Sequence, residues 1–500
     1  MRASRLFTRL ASAWLVAIFA IAAAGTALAQ ESFVATHFAV PDGEYEVPPV
    51  QGDAGYALAI MKFDPMNSSL EYRISVSLPQ GQTITMAHFH RGARGVNGDP
   101  IHTINFPSGS MTATGIWSNI GSGDLAALMN QEVYLNIHTN VNQGGQLRDQ
   151  VTPIPNLTAP EMNAANEVTP PVGVPNDAMG AAYLLLDQAT RRVIYGLEWD
   201  SLSGPPTMAH FHRGAVGVNG PPVHNIALPA NPENRGMLFG VWENLNDADI
   251  ADLKAGNFYA NIHTAANQGG EVRGQILTSD FYTAAISPAN EVDPVTGSNA
   301  MGTGFATVIG GNIVQSFYIV DGATNAPNMA HIHQGAKGTN GDVVYNLQGL
   351  AILGHPSVWM LINQAVTPAQ HDLFKSTGMY ANFHTAANPS GEARGQLIPA
   401  ANNLNVGTSS VPQNNQAGAS ALASWYDAAS GMIHVRAADA KVSHDATVAI
   451  YSPLGTRVAT VPMHHGNGVI QAAGMPAGVY FVQLLNNGAA TGTARVAVVR

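Results

Sequence analysis

Apolar and polar residues alternate in short runs along this chain, with a period of two and not the helical spacing of three to four. In Met86-Ala87-His88-Phe89-His90 an extended backbone puts Met86, His88 and His90 on one face and Ala87 and Phe89 on the other. A helix would separate the two imidazoles, so only a strand lets them act together. Tyr134, Asn136 and His138 share one side of a second run, with Val133, Leu135 and Ile137 on the other. A Gly-x-x-Gly turn through Gly92, Gly95 and Gly98 follows the first run. An Asn/Gly loop follows the second and returns the chain as a hairpin into Gln146-Leu147-Arg148.

The same pattern occurs three times. Ala-His-Phe-His at 87–90 returns at 209–212, and as Ala-His-Ile-His at 330–333. This is a spacing of about 120 residues, too long for a solenoid unit and suited to domains with their own cores. Each copy opens on a Glu-Val element at Glu46, Glu167 and Glu291. Each closes on a His-Thr strand and a Gly-Glu/Gln-x-Arg-x-Gln element, with the same distance from His138 to Arg148, His263 to Arg273 and His384 to Arg394. The expected division is a leader at 1–29, modules at 30–153, 154–278 and 279–399, and a linker at 400–418. A different unit follows at 419–500, with strand-like runs at Met432–Arg436, Thr447–Tyr451, Gly478–Leu485 and Ala494–Val499. Abundant Gly and Pro, 51 and 30, and few charged residues reinforce an all-β fold class: three tandem immunoglobulin-like sandwich or barrel domains and a small C-terminal β-sandwich.

Export is read from Arg2, Arg5 and Arg9, the apolar run Trp14 to Ala24, and the small-residue site Ala27-Leu28-Ala29. The run is shorter than the ~20 residues of a spanning helix, so the reading is a secreted or outer-surface protein with no transmembrane anchor once the leader is removed. The formal charge is −11, and losing the leader's arginines makes it more negative, which disfavours nucleic acid as a partner. Cysteine is absent, excluding disulfides, thiolate zinc sites and thiol nucleophiles.

The candidate chemistry lies in the histidines: His88, His90 and His138, then His210, His212 and His263, then His331, His333 and His384. Neutral imidazoles are the commonest metal ligands, and three of them leave a position open. Copper or zinc is the cofactor this set admits, and Met on the same face tilts it toward copper. The plain reading is that these rings hydrogen-bond Asn136, Arg148, Asn261, Glu271, Arg273, Asn382, Glu392 and Arg394 in a polar face that locks the sheets together. Glu46, Glu167 and Glu291 are expected to form strand-end salt bridges with the motif arginines. Trp117, Trp242 and Trp359 are expected in the core. His102 and His224 are matched by Tyr345, which argues against an obligatory role. No Ser-His-Asp order, phosphate loop or HExxH motif is present.

With Glu-Val-Pro-Pro near the start, Ala-His-Ile/Phe-His-x-Gly-x-x-Gly in the middle and Tyr-x-Asn-x-His-Thr before Gly-Glu-x-Arg-Gly-Gln, each copy resembles the CHRD domain, named from chordin. The resemblance implies an extracellular immunoglobulin-like β-domain and carries no catalytic residues. The first copy departs from the pattern at Gln146 and Asp149, and the third at Gln334, where the others have Arg91 and Arg213. The segments Val448 to Gly455 and Pro476 to Val482 resemble the C-terminal sorting domain of type IX secretion substrates, which implies the secretion machinery as a partner. The resulting expectation is a non-enzymatic binding or structural protein whose partner is an extracellular protein or polymer. The alternative is a copper/zinc-dependent enzyme or metal-binding protein using the nine histidines.

Overall fold

The computed structural model describes residues 33–401, apart from 66, 176–177, 189 and 352–353, together with the strands and short connections of 422–498. The expected leader and nearly all of the expected linker lie outside the described residues.

The chain is all-β, in tandem two-sheet units. In the first, a four-stranded antiparallel sheet runs Pro100–Thr103, Ile84–Arg91, Val133–Thr139, Leu147–Gln150. It faces a five-stranded sheet that contains Tyr56–Asp64 and Ser69–Ser77. The alternation dictates the core. Ala87, Phe89, Val133, Leu135 and Ile137 turn inward, where Tyr72, Ile74 and Trp117 meet them from the opposite sheet. Trp242 and Trp359 take the same place in the other two cores.

Each unit also has a two-turn helix that the alternation did not predict: Ser122–Met129, Asp247–Lys254 and Pro368–Lys375. Reciprocal capping by Asn246 with Asp249, and by Thr367 with Gln370, starts the second and third. Eight residues are too few for a helical period to stand out in the sequence.

The units are not beads on a string. The strand Val272–Ile286 is fifteen residues long. Its first half pairs with Phe258–Thr264 in the second unit, and its second half with Met301–Ile309 in the third. The first unit packs its outer sheet on the third through Leu58, Ile319 and Val358, and through Phe33, Ile60, Ile154 and Phe281. At the rim of this joint the buried His355 accepts or donates at both nitrogens, Nδ1 to Ser77 Oγ at 3.1 Å and Nε2 to Asp53 at 2.9 Å.

The C-terminal unit is a small sandwich of one three-stranded and one four-stranded sheet, closed over Ile433, Val448, Ile450, Ile470 and Val482. Its strands Met432–Ala437, Thr447–Tyr451 and Gly478–Asn486 coincide with three of the predicted runs to within a residue, while the fourth run falls in a longer strand, Ala489–Val498. No helix among the described residues is long and apolar enough to cross a membrane.

Candidate metal centre in each module

The strand Ile84–Arg91 pairs antiparallel with Val133–Thr139 in a register that sets Met86 against His138, His88 against Asn136 and His90 against Tyr134. Because Ala87 and Phe89 are held in the core, the histidines are held on the outer face. The third histidine then stands beside the first two. One ring nitrogen from each of His88, His90 and His138 lies within 4.8 Å of the others, and the sets His210, His212, His263 and His331, His333, His384 repeat this arrangement.

Backbone carbonyls fix which nitrogens point inward. His90 Nδ1 lies 2.8 Å from the carbonyl of Gly98, and His138 Nδ1 lies 2.9 Å from that of Gln143. A carbonyl oxygen only accepts, so each Nδ1 carries the proton and each Nε2 turns a lone pair toward the cluster. The other modules repeat the device, with His212 on Gly220, His263 on Gln268, His333 on Gly341 and His384 on Pro389. An outer partner that orients the ring and fixes its tautomer is the usual support of a ligating histidine.

All three inward nitrogens lack partners in the first module, and one lacks a partner in each of the others. In the first module His88 Nδ1, His90 Nε2 and His138 Nε2 are all buried and unbonded. In the second and third, His210 Nδ1 bonds His263 Nε2 at 3.1 Å and His331 Nδ1 bonds His384 Nε2 at 3.0 Å, which leaves His212 Nε2 and His333 Nε2 alone. A buried polar atom without a partner costs about 1–3 kcal/mol, and in the first module the three converging lone pairs form a donor set that a cation would fit. Burial also holds His88, His90, His210, His212, His263, His331, His333 and His384 below the ordinary imidazole range, so the rings stay in the neutral, ligating form.

The expected polar face is a set of buried braces. Arg148 is 1% exposed. Its guanidinium lies 3.6 Å over the Tyr134 ring and donates to the carbonyls of Ala93 and Val96 and to Asn97 Oδ1. These bonds fold the Gly92–Gly98 loop down over the sheet. Tyr134 stacks on His90 in turn. Arg273 and Arg394 repeat the column on Tyr259 and Tyr380. Asn136, Asn261 and Asn382 are buried beneath the opening Glu-Val element.

Glu271 and Glu392 bond elsewhere. Glu271 accepts from Ser203, Thr264 and Asn267, and Glu392 from Ser298, Thr324, Thr385 and Asn388. Gln146 does the same work in the first module, accepting from Thr139 and Asn142. The Gln/Glu exchange therefore concerns a turn brace and leaves the histidines untouched.

The opening carboxyls do not form the expected salt bridges, since the guanidiniums spend their N–H groups on the loop. Asn136 Nδ2 donates to Glu46 Oε2 at 3.4 Å, while Glu46 Oε1 and Asn136 Oδ1 are buried without partners. Burial pushes Glu46, Glu167 and Glu291 up to about 7, with the Arg and Asn neighbours pulling the other way. A neutral carboxyl carries the proton that these oxygens lack.

The remaining departures serve the joints. Asp149 pairs with Arg94, whose guanidinium lies over Tyr45 and, in the second module, Phe239. Arg91 and Arg213 pair with helix acids Asp124 and Asp249, a contact that Gln334 gives up. His102 and His224 stack on Trp117 and Trp242 as packing groups. Sequence reasoning missed the Asp53-His355-Ser77 relay, because its members come from two modules. Ser77 is closed between the sheets at 4% exposure, so the relay is a clasp and offers no accessible nucleophile.

The three imidazole clusters recur at one register position on tandem β-sandwich modules and define one repeated module. The model of the CHRD domain matches residues 38–151, 159–276 and 282–397, and the chain belongs to the CHRD-domain family. It is similar to chordin of Xenopus laevis, 26% identical over 233 residues, a stretch that covers 42% of this chain and 23% of chordin. The chain thus matches about a quarter of that relative's length.

Proposed function

We propose that this is an exported CHRD-domain protein in which each module holds one transition-metal ion, copper or zinc, on three imidazoles, and that it acts as a binding protein. The observation that carries the reading is the inward-facing, unpartnered His90 Nε2, His212 Nε2 and His333 Nε2, repeated at one register position in all three modules. Three neutral nitrogens satisfy a tetrahedral ion apart from one position. The ring protons of His90 and His138, held on carbonyls, keep the ligand atoms aimed without reorganisation. Export is supported by the basic, apolar and small-residue order of the first 29 residues. The sandwich at 422–498, with its Val448 to Gly455 and Pro476 to Val482 segments, supports sorting through a type IX pathway. An extracellular polymer or protein is the partner class, and three tandem sites would add avidity on a repetitive target.

Elemental analysis of the purified mature protein tests the metal reading. Copper or zinc at one ion per module is expected, with His90→Ala, His212→Ala and His333→Ala each removing one. A protein that takes up no metal and melts identically with and without a chelator overturns it.

A further inference from the structure

The three-imidazole face has one open side. Along the first histidine strand His90 is 8% exposed, His88 is half-buried and Met86 is 49% exposed. The loops that receive the Nδ1 protons close the His90 and His138 sides, so access comes from the methionine. The same gradient ends at Met208, 45% exposed, and at Met329, 46% exposed. In the first module a cleft of about 560 Å³ is lined by Met86 and His88 but by neither His90 nor His138.

A single exposed methionine needs no explanation. Three at one register position call for one, because the surroundings vary: Arg91, Arg213 and Gln334 follow the histidine pairs, and Asp149, Gly274 and Gly395 follow the arginines. Met86 lies directly across from His138, Met208 from His263 and Met329 from His384. Each is also two residues before the first histidine on the same strand face, so it neighbours the cluster along the strand and across it. None belongs to a hydrophobic core. The side chain is unbranched with three rotatable bonds, and its sulfur swings readily. With no cysteine in the chain, thioethers are the only sulfur donors it has.

We propose, building on the metal reading above, that Met86, Met208 and Met329 each supply a thioether as the fourth ligand, making every module a three-nitrogen, one-sulfur site selective for Cu(I). Soft thioether donors favour Cu(I), whereas zinc fills its fourth position equally well with water.

The test compares the mature protein with the triple variant Met86→Leu/Met208→Leu/Met329→Leu, which keeps apolar volume at exposed positions. Both are loaded with Cu(I) by competition against a chromophoric chelator, and separately with Zn(II). The parent is expected to show a sulfur neighbour in copper X-ray absorption. The variant is expected to lose that neighbour and about tenfold or more in Cu(I) affinity, while Zn(II) affinity stays within about twofold. Stoichiometric copper with no sulfur neighbour in the parent, or equal Cu(I) affinities, overturns the thioether ligand and leaves the imidazole site standing. Absence of any bound metal in the parent overturns both.

Discussion

The Arg273 guanidinium lies 3.5 Å over the ring of Tyr259, and the other face of that aromatic column is His212, stacked at 4.8 Å. One cation thus presses a ring against an imidazole of the histidine cluster while its N–H groups hold the loop that receives the imidazole's proton. Lysine has neither the plane nor the fork to do both. Arg273→Lys is expected to cost about 1–3 kcal/mol, the scale of leaving buried carbonyls without their donors. It should also weaken metal binding in the second module alone. Chemical denaturation and a three-site metal titration check this.

Metal should stabilise the fold in proportion to its affinity. At a free metal concentration a hundredfold above Kd each site adds about 2.7 kcal/mol. The effect should vanish on acidification. The imidazoles of His90, His212 and His333 are depressed in the fold, so the unfolded chain takes up protons first, and stability is lost as pH falls from about 6.5 through the lowered values. Melting temperature against pH, with and without metal, gives the measurement.

The buried carboxyls act in the opposite sense. Glu167 is raised by burial to about 7 in the fold, so its contribution is complete below the ordinary carboxyl value and is lost as pH rises from about 4.5 through 7. Glu167→Gln mimics the neutral form. It is expected to match the parent near pH 4.5 and to exceed it above pH 7.5, by up to about 3 kcal/mol. Equal pH profiles for parent and variant would sink this account.

At the joint between the first and third modules, His355→Phe removes both polar bonds, while Ser77 keeps its bond from Ser357 and Asp53 keeps the Gly55 N–H and solvent. A loss of about 1–3 kcal/mol is expected. It should appear in calorimetry as separation of a melting transition that the parent undergoes as one.

Much of this was legible in the residues themselves. Strict alternation at 86–90 and 133–138 names the strands and tells which side chains enter the core, because a period of two permits no other assignment. The recurrence of three histidines at fixed spacing singles out the cluster. What alternation does not encode is the path of the Gly92–Gly98 loop. That path is set by Arg148 bonding to the backbone carbonyls of Ala93 and Val96, and a main-chain oxygen leaves no mark in a side-chain pattern. The arginines therefore read as a polar face when they are rivets beneath a flap. The contact between modules did leave a signal. Ala57 to Met61 is an unbroken apolar run, the mark of a strand buried on both sides, and Leu58 and Ile60 are the residues that meet the third module.

The strand that passes unbroken from 272 to 286 makes the second and third modules mechanical neighbours as well as sequential ones. A tension applied along the chain cannot open a hinge between them. It must shear ladders of backbone hydrogen bonds on both sides of residue 278 at once, so the two imidazole clusters they carry would keep a fixed separation under load, like marks on a ruler.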